Sequence, residues 1–499
     1  MSKKEFFREM GRTALTFDDV RLQTGYSRVP PQQVNLESKF SRNIPLKIPL
    51  VSAAMDTVTE YQMAIALAME GGLGILHRNL SKKEQAKQVA RVKNRLNALN
   101  GLKDKPITVQ EEMTIEQILQ MKHRKDFHFD SFPVLDENRK LVGILTGNDF
   151  DLCDDYTLTA KAVMKTDLIT VPTGTPFEKA YELMKKESKK AIPIINKTGE
   201  LVGLYVHKDL KAIKDGTAKK YNVDNKGNLR VGAAVGVGED AFERCELLLQ
   251  KGVDVIVIDT AHSDTLSAIQ TVEELKRKYS VDLVVGNISQ PESARRPINA
   301  GADGIKVGQG GGSICTTRVV SGYGRPQVTA IYCCAELARQ FDIPVCADGG
   351  LRYSGDIPIA IGAGAHSVMM GKLFAGTDEA PEDIIYYQGR QWKKFRGMGS
   401  MSAMRESKGS RDRYNQSEKE EDLVPEGVDT LVPYKGSLHA TIVQHLGGLR
   451  SGMGAVGAAN IEELQQKADF DRITQSGQTE SHPHDVHIIE EAPNYSPGR

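Results

Sequence analysis

The strongest constraint on this chain is a rhythm of eight short apolar runs, each followed by polar or glycine residues and then by a stretch with helical spacing. The runs lie in IPLVSAAMD around Val51, LGILH at 73–77, RVGAAV at 230–235, VDVIVID at 253–259, DLVVG at 282–286, DGIKVG at 303–308, PVCAD at 344–348 and HSVMMG at 366–371. Glycine motifs that end helices announce several of them: EGG before Leu73, KGVD before Val255, AGAD before Gly304 and GAGA before His366. Eight buried strands alternating with helices predict an α/β chain folded as a (β/α)8 TIM barrel. An open doubly wound sheet is the alternative for the same alternation.

One insertion interrupts the rhythm. ITVQEEMTIEQILQMKHRK from Ile107 pairs with ITVPTGTPFEKAYELMKKE from Ile169, and FPVLDENRKLVGILTGNDF from Phe132 pairs with IPIINKTGELVGLYVHKDL from Ile192. Each copy reads as strand, helix, hairpin and helix. One copy could hardly bury its apolar face, so the pair predicts a self-contained pseudo-symmetric module at 103–218, with copies at 103–160 and 161–218, inserted between barrel parts 1–102 and 219–499. The module resembles a tandem CBS (Bateman) pair, a family that binds adenine or guanine nucleotides between its repeats. That family often has Thr-x-Arg-Asp after the hairpin, whereas this chain has Thr146-Gly147-Asn148-Asp149 and Val206-His207-Lys208-Asp209, so one phosphate-reading cation is missing. A module that orients subunits and binds nothing tightly is the other reading.

With Lys plus Arg equal to Asp plus Glu at 65 each, net charge points to neither nucleic acid nor a membrane surface, so an anionic ligand needs local donors. The six cysteines have no C-x-x-C spacing, which fits reduced thiols in a cytoplasmic protein better than a disulfide framework or a zinc site. No run approaches the roughly 18–20 apolar residues of a membrane span, and the N-terminus lacks the apolar segment of a signal peptide. Residues 389–440 break the alternation with a highly charged stretch that is either a mobile flap or a disordered spacer, and the polar C-terminal segment 470–499 is too polar to form a core of its own.

Chemistry concentrates where the strands end. After the sixth run comes GQGGGSICTTR, 308–318, in which four glycines in five positions precede Ser313, Cys315, Thr316 and Thr317. A thiol becomes a nucleophile when helix N-terminal amides or a cation lower its pKa. Taken alone, a buried inert cysteine is the simpler reading of Cys315; its place at a carboxyl end of a barrel strand reverses that choice. Ser313 with the loop amides, and Gly349-Gly350 with Gly371 and Lys372, are two candidate phosphate cups. Asp348 is an acceptor suited to a sugar diol, or a helix N-cap. Gly236 to Ala241 matches G-x-G-x-x-A, but eight strands contradict a Rossmann unit.

With TFDDV, IPLVSAAMDTVTE, GGLGILHRNLS, IDTAH, GGGSICTTR, ADGGLRYSGDI, GAGAHSVMMG, RGMGSMSAM, RDRY, EGVD and ESHPHDV in order, the chain resembles the inosine-5′-monophosphate dehydrogenase family over nearly its full length. The resemblance implies NAD-dependent oxidation of IMP to XMP in guanine nucleotide biosynthesis. Cys315 would form a covalent thioimidate at C2 of the purine, which is then hydrolysed. It assigns Arg413 and Tyr414 of a flap to water activation, Thr317 to orienting that water, and Glu426 to the purine and to water activation. Ser313, Gly350, Gly371 and Lys372 fall to phosphate, Asp348 to ribose, Met398 and Gly399 to the purine. Asp259, Asn287 and Gly308 fall to NAD, with Lys306 beside the site. Gly310, Gly312 and Cys315 carbonyls would hold half of a potassium site completed by Glu480, Ser481 and His482 of a neighbouring subunit. It further implies a homotetramer, octamers through the CBS modules, and a purine nucleotide effector there.

Phe395 stands where that family usually has a tyrosine that meets the phosphate, and Lys372 replaces a common serine, offering a charge-assisted contact instead. The segment after Asp259 reads TAHSDTLS, without the usual extra Gly-His. GMP reductase shares the barrel and the cysteine loop but lacks the Arg-Tyr flap, and a non-catalytic nucleotide-sensing CBS and barrel protein would need none of Cys315, Asp348 or Arg413.

Overall fold

The computed structural model describes residues 3–9, 13–104, 106–124, 131–414, 416, 419–490 and 492–495. The parts of the duplication at 125–130, of the charged stretch at 415, 417 and 418, and of the C-terminal segment at 491 and 496–499 lie outside the described residues. Two compact units form, one from 1–93 with 230–499 and one from 94–229.

The first unit is built on a closed parallel barrel. Its strands are β1 (Leu50–Ser52), β2 (Leu73–Leu76), β3 (Gly232–Val235), β4 (Val255–Asp259), β5 (Asp282–Ile288), β6 (Gly304–Val307), β7 (Val345–Asp348) and β8 (Ser367–Met370). They run in chain order around the ring, and β2 pairs with β3 across the inserted unit. All eight expected strands are present, and the doubly wound alternative is excluded by closure. The glycines placed before β2, β4, β6 and β8, at Gly71, Gly252, Gly301 and Gly364, all have positive φ, so each ends its helix in the left-handed region and turns the chain back into the barrel.

Inside the ring, Val51, Leu73, Ile75, Ala234, Val255, Val257, Val284, Cys346 and Met369 form one apolar cluster. The hairpin Ser38–Ser41 with Ile44–Leu46 closes its amino end, adding Phe40, Ile44 and Leu46 to that cluster. Ser41 and Asn43 anchor the hairpin on Asp282 at the start of β5, at 2.5 Å through Ser41 Oγ and 2.8 Å through Asn43 Nδ2. A bottom sealed by apolar side chains leaves the carboxyl ends of the strands as the open face.

Residues 389–440 contain more regular structure than a spacer. Arg390–Arg396 pairs with Ile384–Tyr387 and with Asp429–Pro433 in an antiparallel sheet, and helices Met401–Glu406 and Lys408–Arg413 lie between. The strand RQWKKFR hides its alternation because one inward residue is Lys393, whose ammonium is buried by donating to the Thr377 and Ala380 carbonyls at 2.9 and 2.8 Å. No helix among the described residues is long and apolar enough to cross a membrane.

The second unit carries the duplication. One half has Val109–Gln110, Phe132–Leu135 and Leu141–Leu145 in a sheet with helix Ile115–Arg124; the other has Val171–Pro172, Ala191–Ile195, Leu201–Val206 and Leu102–Lys103 with helices Phe177–Lys186 and His207–Lys214. Each half buries its own apolar cluster, around Ile115, Phe132 and Leu145 and around Ala180, Ile192 and Leu210.

Candidate active site

A cavity of about 340 Å³ opens at the carboxyl ends of the strands. Its wall gathers nearly every residue singled out from the sequence: Asp259 at the end of β4, Asn287 from β5, Gly308, Gly310, Gly312, Ser313, Cys315 and Thr317 after β6, Asp348 at the end of β7 and Gly350 after it, Gly371 and Lys372 after β8, and Met398, Arg413, Tyr414 and Glu426 from the last segment. Gly399 stands behind it, against the Tyr414 ring, where a Cβ would meet the ring at 2.7 Å. Glu480, Ser481 and His482 do not line it; His482 packs against Tyr353 and Tyr495 of the same chain.

The glycine-rich loop begins under a steric constraint. Gly308 has φ 154°, and a Cβ there would lie 1.9 Å from the Asp348 carbonyl oxygen, so only glycine lets β6 leave the barrel beside β7. Asn287 Nδ2 donates to Gly308 O at 2.5 Å, and Gln309 fastens the next residue by donating to Ala261 O and to His262 Nδ1, each at 3.1 Å. Arg318 reaches back from the following helix to Gln309 O at 3.1 and 3.0 Å. Beyond its turn the loop pairs with 426–428: Thr316 N–H donates to Glu426 O and Val428 N–H to Ile314 O. Gly397 and Gly427 cross there so closely that a Cβ on either would stand 3.2–3.3 Å from the other's Cα.

That pairing brings a donor chain together. The Cys315 thiol donates to Thr317 Oγ1 at 3.1 Å, Thr317 donates to Glu426 Oε2 at 2.7 Å, and Ser321 donates to Glu426 Oε1 at 2.5 Å. Every hydrogen points toward the carboxylate, so a proton leaving sulfur has a route of two bonds to an acceptor. Burial lowers the Arg318 pKa, and the nearby Cys315 opposes that shift. Burial, with Glu426, Tyr414 and Cys315 nearby, pushes the Tyr323 phenol up to about 12.

A second group of charges lines the same cavity. The Lys306 ammonium, 2% exposed, donates to Asp348 Oδ2 at 2.6 Å and to Asn287 Oδ1, and pairs with Asp259 Oδ1 at 3.1 Å. Arg413 takes the other oxygen of Asp259, and its carbonyl accepts the Ala261 N–H at 3.2 Å. Burial raises the Tyr414 pKa, while Arg413, hydrogen-bonded to it, opposes the rise. The site thus holds a thiol with a proton acceptor and two carboxylates bridged by a lysine.

Some lining residues carry no signal of their own in the sequence. Gln327 donates to Val307 O and Asp348 O at 2.8 and 3.1 Å, tying β6 to β7 from below. Thr16, Phe17 and Asp18 of the TFDDV motif, one of the stretches that carry the family resemblance, reach the cavity from the N-terminal arm.

Residues 14–484 match the model of the IMP dehydrogenase / GMP reductase domain. An inosine-5′-monophosphate dehydrogenase of Aquifex aeolicus is 50% identical over 489 residues, 97% of this chain and 98% of that protein. Another from Helicobacter pylori is 46% identical over 485 residues, again 97% of this chain and 98% of that protein. Among solved structures, a cysteine-to-alanine variant of GMP reductase from Trypanosoma brucei in complex with guanosine 5′-monophosphate superposes with a TM-score of 0.83 at 38% identity, covering 96% of this chain and 99% of that one.

Proposed function

This chain belongs to the IMP dehydrogenase / GMP reductase family, and we propose that its barrel site oxidises IMP to XMP with NAD, as a step of guanine nucleotide synthesis, through a covalent bond to Cys315. The observation that carries the reading is the ion pair of Arg413 with Asp259 in the same cavity as the chain from Cys315 through Thr317 to Glu426. A reductase needs no water-activating arm; a dehydrogenase that must hydrolyse its own thioester-like intermediate does.

In this reading Asp348 receives the ribose hydroxyls of IMP, with Lys306 holding the carboxylate in place, and Ser313, Gly350, Gly371 and Lys372 hold the phosphate. Met398 and Gly399 present backbone to the purine. Cys315 gives its proton toward Glu426 by way of Thr317 and bonds to C2 of the purine as hydride departs from the same carbon. Bound NAD supplies the acceptor for that hydride. Asp259, Asn287 and Gly308 would hold the cofactor, and the donor set fits, because a carboxylate at a strand end accepts both hydroxyls of a ribose. Asp259 Oδ2 serves either Arg413 or a ribose, so the arm and the cofactor exclude one another. With the arm in place, Arg413 and Tyr414 orient a water, assisted by Thr317 and Glu426. Water adds to C2, sulfur leaves and takes back a proton, and XMP is released.

Potassium fits the loop 308–315, which offers carbonyls rather than carboxylates. Gly312 O accepts the Cys315 N–H at 3.1 Å and keeps its second lone pair. Gly310, Gly312 and Cys315 would hold the ion together with Glu480, Ser481 and His482 from a neighbouring copy in a homotetramer, and the ion would order the loop that carries the thiol. The unit at 94–229 is a CBS pair that takes a purine nucleotide effector and joins tetramers into octamers. Six free cysteines support a cytoplasmic location.

The deciding experiment mixes the protein with IMP, NAD and potassium and follows NADH. NADH formation that disappears in Cys315→Ala is the expected result. No turnover, with NADPH-dependent loss of GMP instead, would transfer the protein to the reductase activity that its structural likeness also allows.

A further inference from the structure

The segment that carries Arg413 and Tyr414 is fastened at a second place, outside the cavity. Asn79, three residues beyond the end of β2, donates from Nδ2 to Asp56 Oδ2 and to Ser410 Oγ, each at 2.9 Å. Its Oδ1 accepts from Ser407 Oγ at 3.1 Å, and its own N–H is held by His77 Nδ1 at 3.1 Å. The Ser410 side chain is fully buried. Gly409 lies flat on this corner, where a Cβ would stand 3.2 Å from Arg78 O and 3.3 Å from Asn79 Oδ1. Asp56 is in turn paired with Arg396, at 2.9 Å through Nη2, at the root of the same segment. Asn79, Ser407 and Ser410 are absent from the cavity wall.

We propose that Asn79 is a positioning residue for the hydrolytic half of the reaction, a latch whose hydrogen bonds to Ser407 and Ser410 hold the 400–414 segment over the site. It stands outside the cavity wall, so in this proposal it acts on the balance between the segment docked and the segment withdrawn. Docking puts Arg413 on Asp259, where the cofactor ribose would bind. Weakening the latch must therefore move two kinetic quantities in opposite directions: hydrolysis slows and cofactor binding tightens. Losing two hydrogen bonds of ordinary net strength shifts such a balance by about tenfold.

The test compares the full-length protein with Asn79→Leu and, from the other side of the contact, Ser410→Ala. The kinetic arm rests on the function proposed above. It expects the rate and amplitude of the first NADH burst within about twofold of the unsubstituted protein, a steady-state rate several-fold to tenfold lower, and a KM for NAD lowered rather than raised. Burst and steady-state rates falling in the same proportion, or a raised KM for NAD, would overturn the latch. The second arm is independent of that function: limited trypsin digestion without ligands should cut at Lys408 and Arg411 about tenfold faster in Asn79→Leu and about threefold faster in Ser410→Ala, which keeps the Ser407 bond, with cleavage in 94–229 unchanged. Unchanged cleavage at 408–411 would also overturn it. Faster cleavage in a protein that makes no NADH from IMP would leave the latch standing and remove the dehydrogenase reading.

Discussion

Lys306 Nζ lies 2.6 Å from Asp348 Oδ2 and 3.1 Å from Asp259 Oδ1, so one buried ammonium joins the two carboxylates that face the cavity from β7 and β4. Removing it leaves Asp348 without a cation, while Asp259 keeps its pair with Arg413; deleting one partner of a buried pair costs about 3–5 kcal/mol. Lys306→Met is expected to lower stability by about that amount and to raise the KM for IMP at least tenfold, because Asp348 loses the contact that aims it. Lys93→Met is the control: it breaks the buried pair with Asp254, at 2.8 Å, and neither residue belongs to the cavity wall. Denaturant titration and steady-state kinetics on both variants check this. Equal effects on KM would mean that Lys306 serves stability alone.

The barrel was legible because each strand is buried on both faces and so reads as an unbroken apolar run, as in Val255 to Ile258. The cavity wall was legible because polar residues at strand ends have no packing reason to be there. What escaped depends on contacts between distant parts of the chain. Helix Leu438–Val456 has no counterpart in the sequence reading, since its glycines look like breakers. In the fold they let neighbours approach: a Cβ would stand 2.4 Å from Ser354 at Gly448, 2.8 Å from Pro358 at Gly452 and 2.8 Å from Pro31 at Gly454. Asn79 and Gln327 are ordinary polar residues in sequence and acquire meaning only when Ser410 or the Asp348 carbonyl is brought beside them.

His366, at the entry to β8, gives the stability of the barrel a pH dependence. Burial first, then the cations of Arg339 and Lys39, push its pKa from 6.5 down to about 4, and its Nδ1 accepts the Val345 N–H at 3.2 Å. Between those two values the unfolded chain binds a proton that the folded chain refuses, so stability falls as pH drops from about 6.5 toward 4 and rises with pH through the same window. A shift of this size corresponds to at most about 3 kcal/mol. Thermal midpoints measured from pH 7 to pH 4 are expected to fall more steeply for the unsubstituted protein than for His366→Gln. Parallel curves would remove His366 as the titrating group.

Gly308 and Gly322 separate two costs of adding a methyl group. Both have φ in the region that disfavours L side chains, at 154° and 72°. At Gly322 a Cβ would meet nothing within 4 Å, so Gly322→Ala carries only the backbone term, about 1–2 kcal/mol. At Gly308 the Cβ would also collide at 1.9 Å with the Asp348 carbonyl, which cannot rotate away because Gln327 holds it from below. The only relief is to part β6 from β7, which moves the thiol loop relative to the ribose carboxylate. Gly308→Ala is expected to cost at least about 2 kcal/mol more than Gly322→Ala in denaturant titration, by the scale of core overpacking, and to reduce turnover at least a hundredfold. If the two alanine variants prove equally stable and active, the close passage of Gly308 past Asp348 is not what sets the distance between the thiol and the ribose carboxylate.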